Sequence, residues 1–83
     1  MSELARTPQQ IGSIIQRARK KRGWTQSQLA ERCGLRQATL SLIEAGEKTA
    51  KLSSLLSILA ALDLELRIGD RSTSGAQDIE DLF

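Results

Sequence analysis

The sequence predicts an all-α fold of four short helices, followed by one short strand and a polar tail. Three observations predict it. Apolar residues recur at intervals of three and four along 11–18 and again along 52–62. Cap and stop signals bracket two further short helices between those stretches. Only one segment, 63–68, alternates polar and apolar residues with the period of a strand.

Thr7 followed by Pro8 reads as an N-cap with proline at the first helical position, and Ile11, Ile14, Ile15 and Ala18 follow at helical spacing. Helix 1 is therefore expected over Pro8 to Arg22. Its basic end, Arg19 to Arg22, suits the negative helix terminus and is also placed to face phosphate, and Gly23 can stop it. Thr25 and Gln28 form a T-x-x-Q capping box, with Trp24 positioned to staple onto Leu29. Helix 2 is expected over Gln26 to Cys33, ended by Gly34, and helix 3 over Gln37 to Ala45, closed by Gly46. After a polar loop, Leu52, Leu55, Leu56, Ile58, Leu59 and Leu62 give helix 4, over Leu52 to Leu62, a broad apolar face. Leu64 to Ile68 is read as the strand, bounded by Gly69 and Asp70. Residues 1–70 are thus expected to form the one folded domain. Residues 71–83 begin with a run free of apolar periodicity and are expected to be a disordered tail.

Composition narrows the function. The chain of 83 residues carries a net charge of +2, but residues 1–48 hold nine Lys or Arg against four acidic residues, and residues 49–83 hold three against six. A basic front part suits a polyanion partner, although an ordinary solvated face has the same composition. Cys33 is the only cysteine and there is no histidine. No intrachain disulfide can form, and neither a zinc site, another cofactor nor catalysis is expected. No apolar run approaches the length of a membrane span and no export signal is evident. The expected location is the cytoplasm, at the nucleoid, and the expected chemistry is non-enzymatic.

Two helices joined by a glycine turn occur in many proteins, so spacing decides. Counting from Gln26, Leu29 is fourth, Ala30 fifth, Gly34 ninth, Leu35 tenth, Leu40 fifteenth and Ile43 eighteenth. The fifth place must be small where two helices cross, the ninth must accept a left-handed turn, and the aliphatic places fill the angle between the helices. All six demands are met.

At these residues the chain resembles the Cro/C1-type, or XRE-like, helix-turn-helix family. The signature stands as Trp24-Thr25-Gln26, Leu29-Ala30, Gly34, Ser41, Ile43-Glu44 and Gly46. The resemblance implies a lambda repressor-like bundle in which helix 3 enters the major groove of double-stranded DNA. It places Gln37 where the family has a glutamine able to pair bidentately with adenine, with Arg36, Ala38 and Ser41 as groove-facing neighbours. Arg36 occupies the N-cap of helix 3, where Ser or Thr would cap better, and a solvated arginine is the alternative to a base-reading one. Gln26 resembles the family's phosphate-contacting glutamine, and Ser27, Thr39, Lys48 and Arg22 extend the expected phosphate clamp. Glu44 is expected to pair with Arg19 for structural reasons.

Leu62-Asp63-Leu64-Glu65-Leu66-Arg67-Ile68 after the last helix looks like the corresponding part of HipB-type antitoxins. That resemblance implies a homodimer, with Leu64, Leu66 and Ile68 pairing across its two-fold axis, on a palindromic operator. It also implies a second partner, a HipA-like kinase toxin. A stand-alone phage-type or metabolic regulator is the alternative.

Overall fold

The computed structural model describes residues 3–71, so nearly all of the expected tail, 72–83, lies outside the described residues. Four helices follow in order: α1 (Pro8–Lys21), α2 (Gln26–Cys33), α3 (Gln37–Glu44) and α4 (Leu52–Ala61). Three of the expected helices run one residue longer than the observed ones, because Arg22, Ala45 and Leu62 serve as C-caps.

Local chemistry sets the starts of the first two helices. Thr7 Oγ1 accepts the Gln10 N–H at 3.1 Å ahead of Pro8. Thr25 and Gln28 close their box in both directions: Thr25 Oγ1 accepts the Gln28 N–H at 3.1 Å, and the Thr25 N–H donates to Gln28 Oε1 at 2.8 Å. Each bond satisfies one N–H that the helix start leaves open, and such a cap contributes about 1 kcal/mol. Gly34 then adopts φ +74°, which only glycine takes without strain, and the chain turns from α2 toward α3.

The core lies where the four helices meet. Ile15 of α1, Leu29 and Ala30 of α2, Leu40 and Ile43 of α3, and Ile58 of α4 with Leu62 form one buried cluster. α2 packs on α4 and on α3, and α1 packs on α3. The α1–α3 approach depends on Gly12, because a Cβ there would sit 2.5 Å from the carbonyl oxygens of both Ile43 and Glu44. No side chain fits between the two backbones at that point.

α4 ends in a Schellman-type turn: the Asp63 N–H donates to the Ala60 carbonyl at 3.1 Å and the Leu64 N–H to the Leu59 carbonyl at 2.7 Å. The left-handed residue of this turn is Asp63, at φ 57°, where the other helix ends place glycine. Beyond it, residues 64–71 carry no regular secondary structure. The expected strand over Leu64 to Ile68 is therefore absent from the single chain. The physical reason is that a strand exists through its ladder, and every element among the described residues is helical. Leu64, Leu66 and Ile68 are left 37%, 50% and 93% exposed.

Candidate nucleic-acid interface

The turn at Gly34 brings the N-termini of α2 and α3 to the same region of the surface, and the glutamine opening each helix touches the other. Gln37 Nε2 donates to Gln26 Oε1 at 3.2 Å. Gln26 Nε2 in turn donates to Glu44 Oε1 at 3.1 Å. The Glu44 carboxylate accepts two bonds from Arg19, Nε to Oε2 at 2.8 Å and Nη2 to Oε1 at 3.0 Å. Arg19 Nη1 finally donates to the Trp24 carbonyl at 2.8 Å. A hydrogen-bonded chain therefore runs from the exposed Gln37 to a buried ion pair.

Both members of that pair are inside the protein, with side chains 9% (Arg19) and 1% (Glu44) exposed. A buried carboxylate must be paired and hydrogen-bonded to persist, and here a bidentate guanidinium and an amide supply three donors. The role expected for Glu44 from its position is thus the one its geometry shows. It is a structural partner of Arg19, with no access to a substrate.

Around this chain the expected groove residues divide by accessibility. Arg36, Gln37 and Ala38 are exposed at the start of α3, while Thr39 and Ser41 are half-buried along it. Arg36 sits at the N-cap and makes no side-chain capping bond, leaving its guanidinium outside the work of holding the helix. Among the residues expected at phosphate, Ser27 and Lys48 are exposed and Gln26 is half-buried.

Arg22 is engaged elsewhere. Its Nη2 donates to the Leu62 carbonyl at 2.6 Å, at the C-terminus of α4, and its guanidinium lies 5.4 Å from the centroid of the Trp24 ring. An arginine is well suited there, because the last carbonyls of a helix lack partners and carry the negative end of its dipole. Arg32 lies over the same ring at 4.2 Å, so Trp24 packs against the core with two guanidinium groups near its indole. Sequence reasoning missed this use of Arg22 and also missed Gly12. The basic run 19–22 gives no sign of which member docks, and the need for glycine at position 12 arises only once α3 is laid across α1.

No group of three or more Cys, Asp or Glu able to hold a metal occurs among the described residues. A surface hollow of about 270 Å³, lined by Leu4, Gln9, Gln10, Ser13, Ile14 and Arg17, has no carboxylate or thiol in its lining. No helix among the described residues is long and apolar enough to cross a membrane.

Comparison with known proteins agrees with this geometry. The helix-turn-helix family profile matches residues 15–68. Antitoxin HipB of Escherichia coli strain K12 is 31% identical over 74 residues, covering 89% of this chain and 84% of that protein. Among solved structures, a chain of the HipA-HipB-O2-O3 complex superposes with a TM-score of 0.74 at 32% identity, over 83% of this chain and 97% of that one. The restriction-modification controller protein C.AhdI of Aeromonas hydrophila does so with a TM-score of 0.68 at 28% identity, over 70% and 88% of the two chains. Since the matched segment contains the whole α2–turn–α3 unit and the likeness to HipB extends over most of both chains, the protein belongs to the Cro/C1-type helix-turn-helix family and is a relative of the HipB antitoxins.

Proposed function

We propose that this protein is a sequence-specific transcriptional repressor and the antitoxin of a HipB-type toxin–antitoxin operon, acting as a homodimer on a palindromic operator. The observation that carries the proposal is the exposed start of α3, with Gln37 braced by Gln26 in a chain that is a relative of HipB. In this reading Gln37 pairs with adenine, and Arg36, Ala38 and Ser41 contact neighbouring base edges. Gln26, Ser27, Thr39 and Lys48 position the protein on phosphates without reading sequence. Arg22 is left out of that set because it already caps α4.

Two recognition helices must be linked to engage half-sites about 34–36 Å apart. The exposed Leu64, Leu66 and Ile68 supply the link by pairing with their symmetry copies, which covers apolar side chains that the described part of one chain leaves in water. The second partner is a HipA-like kinase toxin, the HipA-HipB-O2-O3 complex being the precedent among relatives. The site of action is the cytoplasm, at the nucleoid.

A gel-shift titration on the promoter of the protein's own operon tests the first part. Binding must weaken steeply as salt rises, since each phosphate contact releases counterions. Retention of a kinase encoded next to the gene on the immobilised protein tests the second. Resemblance to a restriction-modification controller favours one other reading, a stand-alone regulator. That reading is correct if the operator shift is seen and no kinase is retained.

A further inference from the structure

The hydrogen-bonded chain beneath α3 has a direction. Both oxygens of Glu44 accept from Arg19, and Oε1 accepts again from Gln26, so the group of Gln26 that faces it is the amide nitrogen. That turns Gln26 Oε1 toward α3, and an oxygen can only accept. Gln37 must therefore meet it with Nε2, as it does at 3.2 Å. What remains free on Gln37 is its Oε1 and the second hydrogen of Nε2, in one fixed order. What remains free on Gln26 is the second hydrogen of its own Nε2, available to a phosphate.

We propose that Glu44 is a specificity-positioning residue: through Gln26, its carboxylate dictates which way round the Gln37 amide is presented to the major groove. The proposal rests on the reading of Gln37 as the base-contacting residue given above. Adenine offers a donor at N6 beside an acceptor at N7, whereas guanine offers two acceptors. A glutamine whose amide is free to rotate can present its oxygen and nitrogen in either order, and only one order matches adenine for a helix docked in a given register. Holding the order in advance removes the mismatched alternative before DNA is met, so part of the discrimination resides in a residue that touches no base. The Arg19–Glu44 pair thereby links the fold to the choice of base.

The test uses the full-length protein and duplex DNA carrying the operator it selects from a random pool, with all four base pairs installed in turn at the position Gln37 contacts. Gln26→Met keeps the length of the side chain and removes both hydrogen bonds, and Glu44→Gln replaces the acceptor with a group that can also donate. Glu44→Gln leaves Arg19 buried without a counter-charge, so thermal unfolding is recorded for both variants, and Gln26→Met decides the matter if Glu44→Gln does not fold. The expected result for Gln26→Met is an adenine preference reduced about tenfold at that one position. Discrimination at the other operator positions is unchanged, and the unfolding temperature falls because the buried Glu44 carboxylate loses one of its three donors, while the protein stays folded at the temperature of the binding assay. Adenine preference that survives Gln26→Met but is abolished by Gln37→Ala would overturn the proposal and leave the base-reading role intact. Preference that survives Gln37→Ala would overturn the base-reading role, and the proposal with it.

Discussion

The two halves of the molecule use their polar and apolar groups in opposite ways. In the α2–turn–α3 unit the helix start, the inter-helix contact and the buried charge all find partners within the chain: Thr25 with Gln28, Gln26 with Gln37 and Glu44, Glu44 with Arg19. In α4 and the segment after it, apolar side chains remain in water: Leu52 is 63% exposed, Leu56 46%, Leu66 50% and Ile68 93%. Neither α3 nor α4 has a side-chain cap, but at α3 the uncapped end is the proposed reading head, and at α4 it is not. A unit that is complete within one chain can meet DNA in a set geometry. A half that leaves large apolar residues exposed is shaped for another polypeptide.

The strongest way to break this contrast is to open the self-contained half from inside. Glu44→Ala leaves the Arg19 guanidinium buried and unpaired, and is expected to lower unfolding free energy by about 3–5 kcal/mol. Urea denaturation followed by circular dichroism measures it. For a chain of this size that is a large share of the whole, and the variant is expected to be unfolded at about 37 °C.

The second break targets the open half. Leu66→Pro removes a backbone donor from the pairing segment together with an apolar contact, so sedimentation should shift the protein from dimer toward monomer, by roughly 2 kcal/mol or more in the dimer constant. The circular dichroism of the helices should stay as it was. A dimer that persists with parental affinity would move the interface to the exposed face of α4, at Leu52 and Leu56.

A third substitution sharpens the contrast by leaving both halves folded. Gln37→Ala should reduce operator affinity by about 1–3 kcal/mol while binding to random duplex changes little, measured by fluorescence anisotropy on the two DNAs. At the junction of the halves, Asp63→Gly relieves a left-handed non-glycine residue and should raise stability by about 0.5–1 kcal/mol in the same urea assay. The smallest effect concerns Cys33. Burial pushes its thiol up from the usual cysteine range, so alkylation near neutral pH should be slower than that of a free cysteine and should recover the ordinary rate in denaturant.

The same division explains what could be read before the structure. Thr7 with Pro8, Thr25 with Gln28, and Gly34 act within a few residues of themselves, and their consequences were legible to within one residue at the helix ends. The pairing of Arg19 with Glu44 was legible through the family resemblance alone, since the residues stand 25 apart. The fate of Arg22 was not, because it depends on where a helix forty residues later stops. Gly12 was passed over because within α1 it is merely a weak helix former, and its value appears only as the closeness of another backbone. The alternation after Leu62 was legible as a pattern, but alternation specifies only a face, and the expected strand does not form among the described residues because no neighbouring strand is there to pair with it.

Trp24 is the only tryptophan of a chain that has no tyrosine, so the intrinsic emission of the unlabelled protein comes from one indole. That indole lies near the guanidinium groups of both Arg22 and Arg32, and the backbone carbonyl of Trp24 accepts a hydrogen bond from Arg19. Arg22 holds the end of α4, and Arg19 holds the carboxylate beneath the proposed reading head. One chromophore is therefore wired to both halves of the molecule. A rearrangement at either end would shift a cation against the ring and alter emission wavelength and quenching, so the proposed operator docking and subunit pairing are open to test in the native protein by light alone.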